Sequence, residues 1–243
     1  MRRSPTTRNF AAAAFALTAA SAAHASVSYF DGVFNPSNWN EITITNAGGA
    51  GSVTTASQAI FGGSPNEFRR IDMNLIAGTP GAAVFSLNVN NLASYDPTTQ
   101  GAVTFIDYRE DSINFLAGSG DGQATGLLIV QNGIIYIQRN PILAMPHPTY
   151  ADWAQNAAPG LVASDLWEIM GNGLFDSTSN PDFSATGAVM QLGFYRGASS
   201  GNFTGQAFRE AGIDNWSVRV VPTPASLGLL APAGLLAFSR RRR

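Results

Sequence analysis

Leu127-Leu128-Ile129-Val130-Gln131 and Ile134-Ile135-Tyr136-Ile137-Gln138 flank the dipeptide Asn132-Gly133. Both central residues of a type I′ turn need φ > 0, which Asn and Gly tolerate, so Gly126 to Arg139 is predicted as a two-residue β-hairpin. That loop sets Val130 opposite Ile135 and Leu128 opposite Ile137. The face they share is wholly apolar and is expected in the core. The other face pairs Gln131 with Ile134, Ile129 with Tyr136 and Leu127 with Gln138, a mixed surface that suits partial solvation or a cleft.

Short alternating runs recur on both sides of this hairpin. Glu41 to Thr45, Phe68 to Ile76, Ala83 to Val89, Ala102 to Tyr108, Ala188 to Tyr195 and Ile213 to Val221 all read as strands, separated by Gly-, Asn- and Pro-containing turns. One short helix is expected at Ser164 to Met170, with Asp165 as cap and Glu168 reaching back to the cap amide. Many strands and almost no helix predict an all-β fold, a two-sheet antiparallel sandwich. No fixed-period repeat or charge block divides residues 26–221, which are expected to form one domain with its own core.

Charge is distributed by segment. The chain has 14 basic residues, every one an arginine, against 16 acids. All the acids lie between Asp31 and Asp214, where only seven arginines stand, a balance of −9. Such a body is no nucleic-acid binder, which needs a basic surface to neutralise phosphates. It would also repel acidic polysaccharides, favouring neutral glycans or a calcium-mediated contact. The absence of Cys excludes disulfides and thiolate metal sites.

The basic ends read as addresses. Arg2, Arg3 and Arg8 precede a short apolar run, Phe10 to Ala20, and Ala23 and Ala25 offer small residues to a signal peptidase. That run is too short to cross roughly 30 Å of hydrocarbon as a helix. At the other end Pro222-Thr223-Pro224 leads into Ala225 to Phe238, expected to form a short apolar helix, then Ser239 and the block Arg240, Arg241, Arg242 and Arg243. The arginines would act as a membrane stop on the cytoplasmic side.

This order of Pro motif, apolar stretch and terminal Arg cluster resembles the PEP-CTERM sorting signal of Gram-negative bacteria, with Thr223 where the family has Glu. The resemblance implies three segments: a signal peptide over 1–25, a body over 26–221 and a sorting segment over 222–243. It also implies a signal peptidase and an exosortase-like enzyme as partners, transient anchoring in the inner membrane, and delivery to the cell surface or an exopolysaccharide matrix. An ordinary C-terminal membrane anchor is the alternative. Gly212-Ile213-Asp214-Asn215-Trp216-Ser217-Val218 resembles the closing strand of jelly-roll, concanavalin-like or carbohydrate-binding-module-like domains. Tyr29-Phe30-Asp31-Gly32, followed by Trp39, resembles their opening strand.

Candidate chemistry is sparse. His147 lies between two prolines with no nucleophile elbow, and a zinc ligand set is lacking. On a strand, Asp107, Arg109 and Asp111 share one face, expected to be a surface ion-pair ladder, with Tyr108 and Glu110 on the other; a glycosidase acid needs a raised pKa instead. Asp214 has the strand parity of Trp216, Val218 and Val220, which points it inward. The resembled modules often hold a structural calcium between first and last strands, which would join Asp31 to Asp214. Sugar binding needs aromatic platforms, for which Trp39, Tyr136, Trp153 and Tyr195 are the candidates. The expected role is a non-catalytic surface or matrix protein that binds polysaccharide. The alternatives are a glycan-processing enzyme on the same sandwich, or a structural surface protein without a small ligand.

Overall fold

The computed structural model describes residues 25–115, 124–139, 145–146 and 152–224. Ala23, the apolar C-terminal segment, Arg240 to Arg243 and His147 lie outside the described residues. No helix of the described residues is long and apolar enough to cross a membrane.

The strands are β1 (Val27–Asp31), β2 (Trp39–Thr45), β3 (Val53–Gly63), β4 (Asn66–Ala77), β5 (Ala83–Tyr95), β6 (Val103–Asn114) and β7 (Ala124–Gln131). They continue as β8 (Ile134–Gln138), β9 (Met145–Pro146), β10 (Ala154–Leu161), β11 (Leu166–Ile169), β12 (Phe175–Asp176), β13 (Met190–Ser199) and β14 (Gly205–Pro222). A single turn of helix, α1 (Pro97–Gln100), is capped by the Asp96 side chain. Two antiparallel sheets form a sandwich. The first runs β10-β6-β14-β4-β3, with β1 also on β14; the second runs β12-β11-β8-β7-β13-β5-β2, with β9 on β7. Four of the six strand candidates fall within a strand; Ala102 to Tyr108 and Ala188 to Tyr195 overlap β6 and β13 but begin one and two residues before them.

The hairpin has the predicted register, and Asn132 and Gly133 take φ of 54° and 78°. Its faces are reversed from expectation. Leu127, Ile129 and Tyr136, on the mixed side, belong to the core between the sheets. Leu128 and Ile137, on the wholly apolar side, are buried in a second cluster with Ile44, Phe85, Leu87, Ile169 and Tyr195. The physical reason is curvature. Five strand steps separate β12 from β5, roughly 24 Å in a flat sheet, yet the Phe175 and Phe85 rings lie 5.6 Å apart. The second sheet therefore curls around its outer face and buries it against itself. The mixed face tolerates burial because its polar groups are bonded: Gln131 exchanges hydrogen bonds with Asp182 and donates to the Ala188 carbonyl.

The helix expected at Ser164 to Met170 is absent. Asp165 is not the N-cap: Val162 is, and Asp165, at the end of a single 3-10 turn, Ala163–Asp165, reaches back to accept from the Val162 N–H at 3.0 Å. Leu166, Trp167 and Glu168 then pair with Gln138, Ile137 and Tyr136. A free sheet edge outcompetes a short helix whose only support is its cap.

Between the sheets, Trp39 packs on Phe34, Phe194 and Trp216 at centroid distances of 5.4, 5.3 and 5.1 Å. Arg69 lies over the Trp39 ring and donates to Asn88 Oδ1. Burial lowers its pKa to about 10, against the opposing pull of Glu41 and Asp31. β14 runs one residue beyond the expected boundary: Pro222 is buried, and the Thr223 N–H donates to the Ala102 carbonyl at 2.6 Å.

Candidate functional site

Of the four predicted sugar platforms, burial removes three. Trp39 is 5% exposed, Tyr136 6% and Tyr195 1%, so none presents a ring face to solvent. Trp39 and Tyr136 fill the inter-sheet core, and Tyr195 lies in the curled second sheet with its hydroxyl on the Gln138 carbonyl. Large aromatics contribute most when buried. Only Trp153 stays half-buried, on the outer face of the first sheet. It meets Phe68 edge-on at 5.4 Å, stands 6.3 Å from the partly exposed Phe115, and donates its Nε1–H to the Gly62 carbonyl.

Asp31 and Asp214 are each held by N–H donors of the chain. Asp31 Oδ1 accepts from the Val33 and Phe34 amides, both at 2.8 Å, and Oδ2 from Trp39 Nε1 at 2.7 Å. Asp214 accepts from the Ser64 and Asn215 amides. N–H donors occupy both carboxylates, and no group of three metal-binding side chains gathers among the described residues. The inward parity assigned to Asp214 is also corrected. A bulge between Asp214 and Ser217 reverses the alternation, so Ala211 and Ile213 face the core before it, and Trp216, Val218 and Val220 after it. Asp214 turns outward beneath the β3–β4 turn. Burial raises its pKa against the Ser64 and Asn215 amide bonds, with Asp111 and Glu67 adding to the rise.

The expected ion-pair ladder is absent as well. Asp107 accepts from Arg219 Nε and Nη2 at 3.0 and 2.6 Å and from the Gly160 N–H at 2.8 Å. Asp111 accepts from Asn215 Nδ2 at 2.8 Å. Arg109, between them on the strand, makes no hydrogen bond, ion pair or ring contact among the described residues. Glu110, on the inner face, is 1% exposed; burial raises its pKa, the direction a general acid needs, against Arg196 and the Tyr108 and Thr125 hydroxyls. It lies between the sheets, where a glycosidic oxygen cannot reach it.

A surface feature that the sequence reading did not single out lies on β1. β1 ends on β14, with Phe30 opposite Ser217 and Ser28 opposite Arg219. Alternation therefore points Phe30 away from the core, and it is 68% exposed. The ring separates two clefts. One, of about 280 Å³, is lined by Asp31, Asn35, Asn38 and Asn90 with Leu92 and Val33. The other, of about 400 Å³, lies over the sheet and includes Ser28, Asp107, Arg109, Ser217 and Arg219. Asn90 Oδ1 accepts from the Leu92 N–H, and no protein group among the described residues takes up its amide nitrogen. An exposed ring between two polar clefts can pack on the apolar face of a sugar while amides and charges engage its hydroxyls. The signal for Phe30 was its alternation with Tyr29 and Asp31, which acquires meaning only once the β14 partner is known.

No protein-family model matches the chain. No curated protein matches it significantly. Among solved structures it is similar to a xylan-binding domain from CBM 22, formally the x6b domain, at 10% identity and a TM-score of 0.38, over 83% of this chain and 97% of that one. It is also similar to the CBM22-1 xylan-binding domain from Paenibacillus barcinonensis Xyn10C, at 12% identity and a TM-score of 0.35, over 84% and 97%.

Proposed function

We propose that this protein is an exported, non-catalytic surface or matrix component that binds polysaccharide across the outer face of its first sheet. The observation that carries the reading is Phe30, an exposed ring with an amide-lined cleft on one side and a serine- and arginine-lined cleft on the other. A single deep pocket suits a small ligand; two shallow clefts meeting at one ring suit a chain that continues past both. The export part rests on the sequence: a signal segment over 1–25 and a sorting segment over 222–243, processed by signal peptidase and an exosortase-like enzyme.

The test is retention of the full chain on a panel of insoluble polysaccharides. Retention by at least one is expected, and Phe30→Ala should weaken it about tenfold, the loss expected from one stacked aromatic. Retention of none would leave a structural surface protein. Release of reducing ends from a retained polysaccharide would overturn the non-catalytic assignment.

A further inference from the structure

The larger cleft has a chemistry that narrows the ligand class. Register places its side chains in two rows across three strands. Phe30 on β1, Ser217 on β14 and Arg109 on β6 form one row; Ser28, Arg219 and Asp107 form the next. Neighbouring strands lie about 4.8 Å apart and same-face residues about 7 Å apart along a strand. The patch therefore spans roughly 10 by 7 Å, the size of one or two sugar rings. A ring resting on Ser217 against Phe30 would direct a substituent at Arg109.

Arg109 is exposed and has no partner among the described residues, whereas the other six arginines of the acidic body all have one. The two acids that flank it on β6 are engaged elsewhere, Asp107 with Arg219 and Asp111 with Asn215. Arg219 is held from one side only. Asp107, itself fixed by the Gly160 N–H, takes its Nε and Nη2, and its Nη1 donates to no protein group among the described residues. The cleft thus offers one free guanidinium, one oriented guanidinium and two serine hydroxyls against a single neutralised carboxylate. A planar guanidinium matches an oxyanion with paired donors, which sugar hydroxyls do not require.

Resting on the polysaccharide-binding reading, we infer that this cleft selects a sugar bearing an oxyanion, a uronate carboxylate or a sulfate ester, held by Arg109 beside Phe30. This reverses the neutral-glycan preference expected from the net charge. Repulsion from distant acids is screened beyond about 8 Å at physiological salt, whereas contact with Arg109 is not.

The full chain would be titrated calorimetrically with a polygalacturonate oligosaccharide, its carboxyl-reduced form, a sulfated galactan oligosaccharide and its desulfated form. At least one acidic probe is expected to bind about tenfold or more tighter than its neutral counterpart. Arg109→Gln should abolish that preference and leave thermal unfolding unchanged, while Arg109→Lys should retain part of it. Phe30→Ala should weaken acidic and neutral forms alike. Equal binding of acidic and neutral probes, or a preference that survives Arg109→Gln, would overturn the inference and leave polysaccharide binding standing. No binding by any probe, together with no retention on the polysaccharide panel, would overturn both.

Discussion

Glu110 is a carboxylate placed between two sheets. Tyr108 donates to its Oε2, as does Thr125 at 2.9 Å, and the Arg196 guanidinium lies in the same buried layer. Burial outweighs these partners and raises its pKa, so the folded chain holds this proton at pH values where the unfolded chain has released it. Between the ordinary value of 4.5 and the raised one, stability from this group falls as pH rises. Denaturant titrations at a series of pH values should show that slope, and Glu110→Gln should reduce it. Glu110→Ala should cost about 1–3 kcal/mol more than Glu110→Gln, because it leaves the Tyr108 and Thr125 hydroxyls without their acceptor and opens a cavity. A substitution to Ala that costs no more than the one to Gln would contradict that account.

At the scale of the element, β14 explains both a success and a failure of reading from sequence. It was legible as a strand with Trp216, Val218 and Val220 inward, yet Asp214 was placed on the wrong face because the bulge that follows it reverses the alternation. The bulge sits where the neighbour of β14 changes from β4 to β1. Asn215 adopts φ of 48° and bonds the Ser64 carbonyl and the Asp111 carboxylate through its amide. Asn215→Val should cost about 2–4 kcal/mol, combining left-handed strain with lost hydrogen bonds. Asn215→Gly loses only the bonds and should cost less, as read from denaturant midpoints; equal costs would show that backbone conformation is not the larger contribution.

The same contrast runs through the other elements. Asn132-Gly133 was legible because a two-residue turn fixes register locally. The burial of Trp39 and Tyr195, and the choice of hairpin face, depend on a curl that brings Phe175 to Phe85 across 90 residues of chain. Phe30 and Arg109 were equally illegible as neighbours. They meet in one row only because β14 lies between β1 and β6, a fact of topology that no local pattern carries.

At the scale of the whole chain, the acidic body gives way in sequence to the C-terminal basic segment just after β14. The sorting motif was expected to start beyond the domain, but Pro222 ends β14 and Thr223 is hydrogen-bonded to the sheet's edge. Pro222 pairs with Val103, the Thr223 N–H donates to the Ala102 carbonyl, and the Thr223 and Thr104 hydroxyls lie 3.1 Å apart. A protease or transpeptidase binds extended backbone whose N–H and C=O groups are free, and a strand inside a ladder does not offer them. If the body folds before processing, the bond cut must lie after Thr223. Mass spectrometry of the secreted protein should then find a C-terminal peptide that contains Pro222 and Thr223 and lacks Arg240 to Arg243. A terminus before Pro222 would mean that cleavage precedes closure of this sheet edge, and an intact arginine block in the secreted fraction would remove the sorting assignment. A chain ended at Val221 should in addition melt lower than one ended at Pro224, because it gives up the Thr223 hydrogen bonds and the buried Pro222 ring that close the sheet beside β6.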